Sequence, residues 1–223
     1  MKKLMLAATA LVVLAFTALP AVAAATPHVS PGSKSFTITG GTAQLTASTG
    51  VHCESVSGNG EFDATGETGT VQFIFHGCTE GIFGSACTTG ESSGTIETTE
   101  LPFHLKTTTG DNTPAVLITS AGSDGSTTGG HFATFECLGG LIEVKVDGNG
   151  IIGEITSGYG TSTTFNVNFA TNEEGKQTPD HVDETPETTY HLFASINGGE
   201  PETATEDAEG TIHFTEEVSL TKT

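Results

Sequence analysis

The feature that most constrains this chain is its period of two. From residue 35 onward, large apolar residues alternate with polar ones over runs of five to nine residues, and no helix-period stretch exceeds two turns. Phe36 and Ile38 alternate with Thr37 and Thr39, and Val71, Phe73 and Phe75 with Thr70, Gln72 and Ile74. Leu101, Phe103 and Leu105 face away from His104 and Lys106. Ile142, Val144 and Val146 oppose Glu143, Lys145 and Asp147, while Phe165, Val167 and Phe169 oppose Asn166 and Asn168. Two further strands place Tyr190, Leu192, Ala194 and Ile196, then Ile212, Phe214, Val218 and Leu220, on their inner sides. The 40 threonines suit half-exposed pleated surfaces, because a branched Cβ stiffens the backbone in the extended region.

Turns rich in Gly, Asn and Asp separate these runs, as in "GNGE" at 58–61, "DGNG" at 147–150 and "NGGE" at 197–200. Roughly a dozen short strands joined this way predict an all-β protein, an antiparallel sandwich or a partly closed barrel. The expected organisation is a signal peptide over 1–23, a disordered lead over 24–34 and a single all-β domain over 35–223. The stretch "GSDGSTTGG" at 122–130 reads as its most flexible segment.

Lys2 and Lys3 precede an apolar run from Leu4 to Leu19 and a small-residue cleavage pattern at Ala21-Val22-Ala23. That is the form of a secretory signal peptide, with a secreted or cell-surface product. In an oxidising compartment the four cysteines, Cys53, Cys78, Cys87 and Cys137, are expected to form two disulfides and not a metal site. His76 beside Cys78 raises the metal alternative, but Cys78 and Cys87 are spaced too widely for the usual zinc pair. Three pairings exist; our expectation is a local Cys78–Cys87 staple with Cys53–Cys137 tying distant segments.

Charge narrows the partners. The chain has seven lysines, no arginine and 27 acidic residues; losing Lys2 and Lys3 with the leader takes the net charge from −20 to −22. Nucleic acid and anionic membrane surfaces are excluded on that ground, since both require cationic side chains. A divalent cation would need converging carboxylates, and the candidate loops are "DHVDETPE" at 180–187 and "TEDAEG" at 205–210. Neither has the acid spacing of a calcium loop. No cofactor is expected.

Two enzyme-like motifs lack the context their chemistry requires. "GESSG" would make Ser92 a nucleophile, yet a strand pattern follows where a helix is needed. "GNGIIG" at 148–153 likewise precedes no helix, so it is no dinucleotide loop. No catalytic residue is assigned. The candidate interaction loop is Ile82 and Phe83, two large apolar residues between Gly81 and Gly84. They either fold back to cap the core or project as a recognition knob.

The segments "FIFHGCT", "GTIETTELPFHL", "FATFEC", "IIGEI", "GKQTP" and "ASINGGE" occur in an order that resembles a family of exported actinobacterial proteins with no assigned activity. The likeness spans most of residues 50–220. It implies secretion, an all-β class and cysteines matching those before and after "FHGCT" and at Cys137, but carries over no catalytic residue.

Three functions are therefore weighed. The first is a secreted, non-catalytic binding protein that contacts an extracellular protein or cell-envelope component. The second is a β-barrel carrier of a small apolar ligand, which a cavity lined by Phe73, Phe103, Phe165 and Phe214 would favour. The third is an extracellular hydrolase, which a cleft bringing a histidine and an acid within hydrogen-bond reach of a nucleophile would favour.

Overall fold

The alternating runs become strands, and the strands close into a barrel. A computed structural model describes residues 26–32, 34–47, 50–120 and 130–222. The expected signal peptide and most of the Gly-Ser segment at 122–130 lie outside the described residues. The strands are, in order, β1 (Pro27–Ser30), β2 (Ser35–Thr46), β3 (Val51–Cys53), β4 (Ser55–Phe62), β5 (Thr68–His76), β6 (Thr79–Glu80), β7 (Cys87–Thr88) and β8 (Thr95–Glu97). They continue with β9 (Leu101–Thr107), β10 (Pro114–Ile118), β11 (Gly130–Cys137), β12 (Ile142–Gly148) and β13 (Ile151–Ile155). The last are β14 (Gly160–Thr171), β15 (Gln177–Thr178), β16 (Leu192–Ile196) and β17 (Glu202–Lys222). Among the described residues there is no helix long and apolar enough to cross a membrane.

Eight strands pair antiparallel in a ring, β2-β4-β5-β9-β10-β13-β14-β17 and back to β2. Closure removes the unpaired edges an open sandwich would carry. A second sheet, β7-β11-β12-β16, grows from the barrel where β16 pairs with Glu202–Ala204 of β17. The same long strand thus belongs to both sheets.

Period-two geometry sends Phe36, Phe62, Phe103, Phe165 and Phe214 into the barrel from five strands. They interlock at one end, with Phe62 meeting Phe103 edge-on at 4.9 Å and Phe36 at 5.4 Å, and Phe214 lying 5.8 Å from Phe36. Glycine directly across on the neighbouring strand makes room for these rings, Gly60 beside Phe36 and Gly69 beside Phe103. A Cβ at Gly60 would overlap the Phe36 ring, and one at Gly69 would stand 2.7 Å from Phe103 Cζ. A smaller outer cluster of Ala115, Leu117, Ile152 and Val182 lies on the other face of β10 and β13, beneath the 180–190 loop. Tyr190 packs there, outside the barrel, because its segment leaves the ladder before β16 begins. Its hydroxyl donates to Glu184 Oε1 at 2.8 Å.

Three expectations are corrected. Residues 27–30, read as part of a disordered lead, form β1, which pairs with Ser219–Lys222 of β17 and buries Val29 in the core. The stretch Thr205–Gly210, read as a loop, is the middle of β17, so its acids alternate between faces and do not converge.

The third concerns the sulfur pairing, which is Cys53–Cys78 and Cys87–Cys137. Register explains why. His52 opposes Thr79 on β3 and β6, which sets Cys53 opposite Cys78; Thr79 opposes Ala86, which sets Cys78 opposite Cys87; and Cys87 opposes Cys137. The four cysteines therefore form one row across four adjacent strands, all buried. A Cys78–Cys87 bridge would leave Cys53 and Cys137 three strand spacings apart, about 14 Å, beyond the reach of any disulfide. Pairing the row two by two uses every thiol, and no free cysteine remains.

Candidate functional site: an apolar cavity with one buried carboxyl

The two ends of the barrel differ. Beyond the five interlocked rings, the inward residues Leu45, Phe73, Phe75 and Phe169 are only half-buried, as is Ile212 beside Phe165. Phe132, Phe135 and Val146 from the second sheet, with Leu192, face the same space. Barrel and second sheet together bound a cavity of about 160 Å³ that runs towards the packed end. A cavity of this size holds a molecule of roughly one aromatic ring. Phe73, Phe103, Phe165 and Phe214, the four phenylalanines expected of a carrier cavity, all line it.

Polar groups on the wall are few: Thr98, Glu206 and Glu209. Glu209 is exposed, whereas Glu206 shares the inward side of β17 with Ala208, Gly210, Ile212 and Phe214. Glu206 Oε1 is shut off from solvent and has no hydrogen-bond partner. Its backbone is held on both sides by Gln177, whose Oε1 accepts from the Glu206 N–H at 2.9 Å while its Nε2 donates to the Glu206 carbonyl at 3.1 Å. Burial, with a smaller contribution from the neighbouring Asp207 charge, pushes the carboxyl up to about 8, so it is chiefly neutral at neutral pH.

Sequence reasoning missed Glu206 because the density of acids around it argued for a loop. The available signal was the period itself, since counting back in twos from Phe214 reaches Glu206.

The predicted interaction loop joins β6 to β7. Ile82 and Phe83 are 63% and 72% exposed, so the alternative in which they fold back onto the core is overturned. The buried Glu80 fixes their presentation by accepting from the N–H groups of Ile82 at 2.7 Å, Phe83 at 2.6 Å and Ser85 at 3.2 Å. Burial opposes its charge, yet these backbone donors hold its carboxyl below the usual carboxylate range. Leu141, another strongly exposed aliphatic residue, sits in the turn after Cys137, one strand over from Cys87.

Hydroxyl-histidine-acid strings do form, in two places. His131 bridges Asp147 Oδ1 at 3.0 Å and Thr134 Oγ1 at 3.1 Å; His181 bridges Asp180 Oδ1 at 2.6 Å and Thr189 Oγ1 at 2.9 Å. Neither string lines the cavity, and both hydroxyls belong to exposed or half-exposed threonines on the surface. Ser92 lies in an exposed turn before β8, and Gly148–Gly153 runs from β12 into β13 with no helix behind either. In the 180–187 loop Asp180 is taken by His181 and Glu184 by Tyr190 and Lys106. Among the described residues no group of three or more His, Cys, Asp or Glu side chains is placed to hold a metal.

Comparison with known proteins returns no matching family, no matching curated protein and no matching solved structure.

Proposed function

We propose that the chain is an exported, non-catalytic carrier barrel that holds one small apolar molecule between its aromatic packed end and its second sheet. The observation that carries this reading is the cavity: an almost wholly apolar space bounded by Phe73, Phe103, Phe165 and Phe214, with its more accessible wall residues gathered at one end. Two buried disulfides suit an oxidising compartment and hold the region around the cavity. The polar outward positions of β2 and β14, rich in Thr, Ser, Asn and Gln, suit a barrel surrounded by water.

The test is thermal unfolding with single-ring hydrocarbons and their short-chain analogues, followed by mass spectrometry of organic extracts of the purified protein. Binding at one hundred times Kd raises stability by about 2.7 kcal/mol, which reads as a clear rise in Tm. Absence of any rise across such a panel overturns the carrier reading.

A second reading rests on a different observation, the rigid display of Ile82 and Phe83. A preordered apolar knob fits contact with an extracellular protein or cell-envelope component. Retention on cell-wall fractions that is lost in Phe83→Ala supports it; equal retention by the variant removes it.

A further inference from the structure

Cavities that are only apolar select by size. This one contains a carboxyl, and its placement carries a consequence. Glu206 stands at the inward register position of β17, with Leu45 opposite it on β2 and Gln177 of β15 gripping its backbone. Its Oε1 is buried without a partner among residues that offer none: the cavity walls from β11, β12 and β16 present Phe132, Ala133, Phe135, Val146 and Leu192. An unmatched buried oxygen costs free energy that a ligand can return. An acid held neutral there is a hydrogen-bond donor, and the protein offers its buried Oε1 no partner.

The geometry points to Glu206 as the polar anchor of the cavity, so that the preferred ligand is a neutral, ring-sized apolar molecule carrying one hydrogen-bond-accepting oxygen, a ketone or hydroxyl, directed at β17. This rests on the carrier reading above. The protein's own backbone clamp gives the anchor a fixed position, because Gln177 holds the Glu206 peptide from both sides and leaves the side chain to the cavity. The nearby charges are Asp207 and Glu209 on the same strand, both exposed, with Asp207 engaged by Thr171 at 3.3 Å. No cationic side chain lines the cavity to draw the carboxyl into its charged form. Burial accordingly keeps it protonated through neutral pH.

The experiment compares acetophenone with α-methylstyrene, which has the same shape with a methylene in place of the oxygen, and with 1-phenylethylamine. Each is titrated calorimetrically into the wild-type chain, Glu206→Leu and Glu206→Gln. The expected result is that Leu shifts the ketone-to-hydrocarbon affinity ratio roughly five- to tenfold against the ketone, the worth of one net hydrogen bond. Gln, which retains a donor, keeps the ratio within about twofold. Raising pH from 6 to 9.5 weakens wild-type ketone binding relative to the hydrocarbon and leaves Glu206→Gln unaffected.

An unchanged ratio in Glu206→Leu overturns the anchor while the carrier reading stands. Loss of both neutral probes in that variant assigns Glu206 a structural role and also overturns it. Preference for the amine replaces neutral recognition with ion pairing. Failure of all three probes to bind any of the three proteins removes the carrier reading and the anchor with it.

Discussion

The packed end of the barrel and its cavity end are built by the same strands with the same alternation, yet they do different things. At the packed end, Phe36, Phe62, Phe103 and Phe214 pack ring to ring and glycines clear the space they need. At the other end Phe73 and Phe75 stand side by side at 6.3 Å, both only partly covered, and Glu206 replaces a hydrophobe. The difference is one of complementarity, not of composition. Rings that find edge-to-face partners make stability, while rings that lack them make a wall for something else.

The contrast can be broken first at its strong end. Phe103 is the largest fully buried side chain among the described residues, and Phe103→Ala should cost about 3–5 kcal/mol in denaturant unfolding. Phe75→Ala, at the cavity end, should cost less than half as much; equal losses would mean that the two ends are packed alike.

The sulfur row tests whether the second sheet is tied down independently. Replacing Cys87 and Cys137 together by Ala removes the wider closure, 50 residues apart, and should lower stability by roughly 4 kcal/mol on the chain-entropy estimate. The corresponding change at Cys53 and Cys78, 25 residues apart, should cost roughly 3.5 kcal/mol. Peptide mapping without reduction reads the connectivity directly, and a Cys78–Cys87 peptide would contradict the pairing of Cys53 with Cys78.

Glu206 sharpens the comparison through pH. Its folded pKa, about 8, lies above the ordinary 4.5, so the folded chain binds more protons than the unfolded one between those values. Stability contributed by the neutral acid is complete below about pH 4.5, falls as pH rises towards 8 and is lost above it. The loss should be on the order of 5 kcal/mol, and Glu206→Gln should abolish that slope. A slope that survives in the Gln variant would place the buried proton elsewhere.

The smallest effect belongs to the exposed loop. Phe83→Ala should change stability by less than about 0.5 kcal/mol, because its ring touches solvent more than protein. Glu80→Ala should cost more, since three backbone donors lose their acceptor.

Local patterning made much of this legible. The inward faces of β2, β5, β9 and β14 follow from residues two apart, and they supply Phe73, Phe103 and Phe165 to the cavity wall. Prediction stopped where a decision depended on strands distant in sequence. "TEDAEG" looked like a loop because its acids are uncommon in a strand, and only the flanking β2 and β14 supply the ladders that keep it extended. Val29 could not be placed in a core before β17, at the far end of the chain, offered β1 a partner.

The sequence by itself determined the class: apolar-polar alternation and turn residues admit an all-β chain and little else. Tertiary structure alone decided that the sheet closes, that the cysteines stand in one row and pair by neighbours, and that Glu206 turns into an apolar space. The physical reason is range. Side-chain alternation is a property of adjacent residues, whereas closure, register across strands and the absence of a partner for one oxygen are set by contacts between segments that the chain brings together only when it folds.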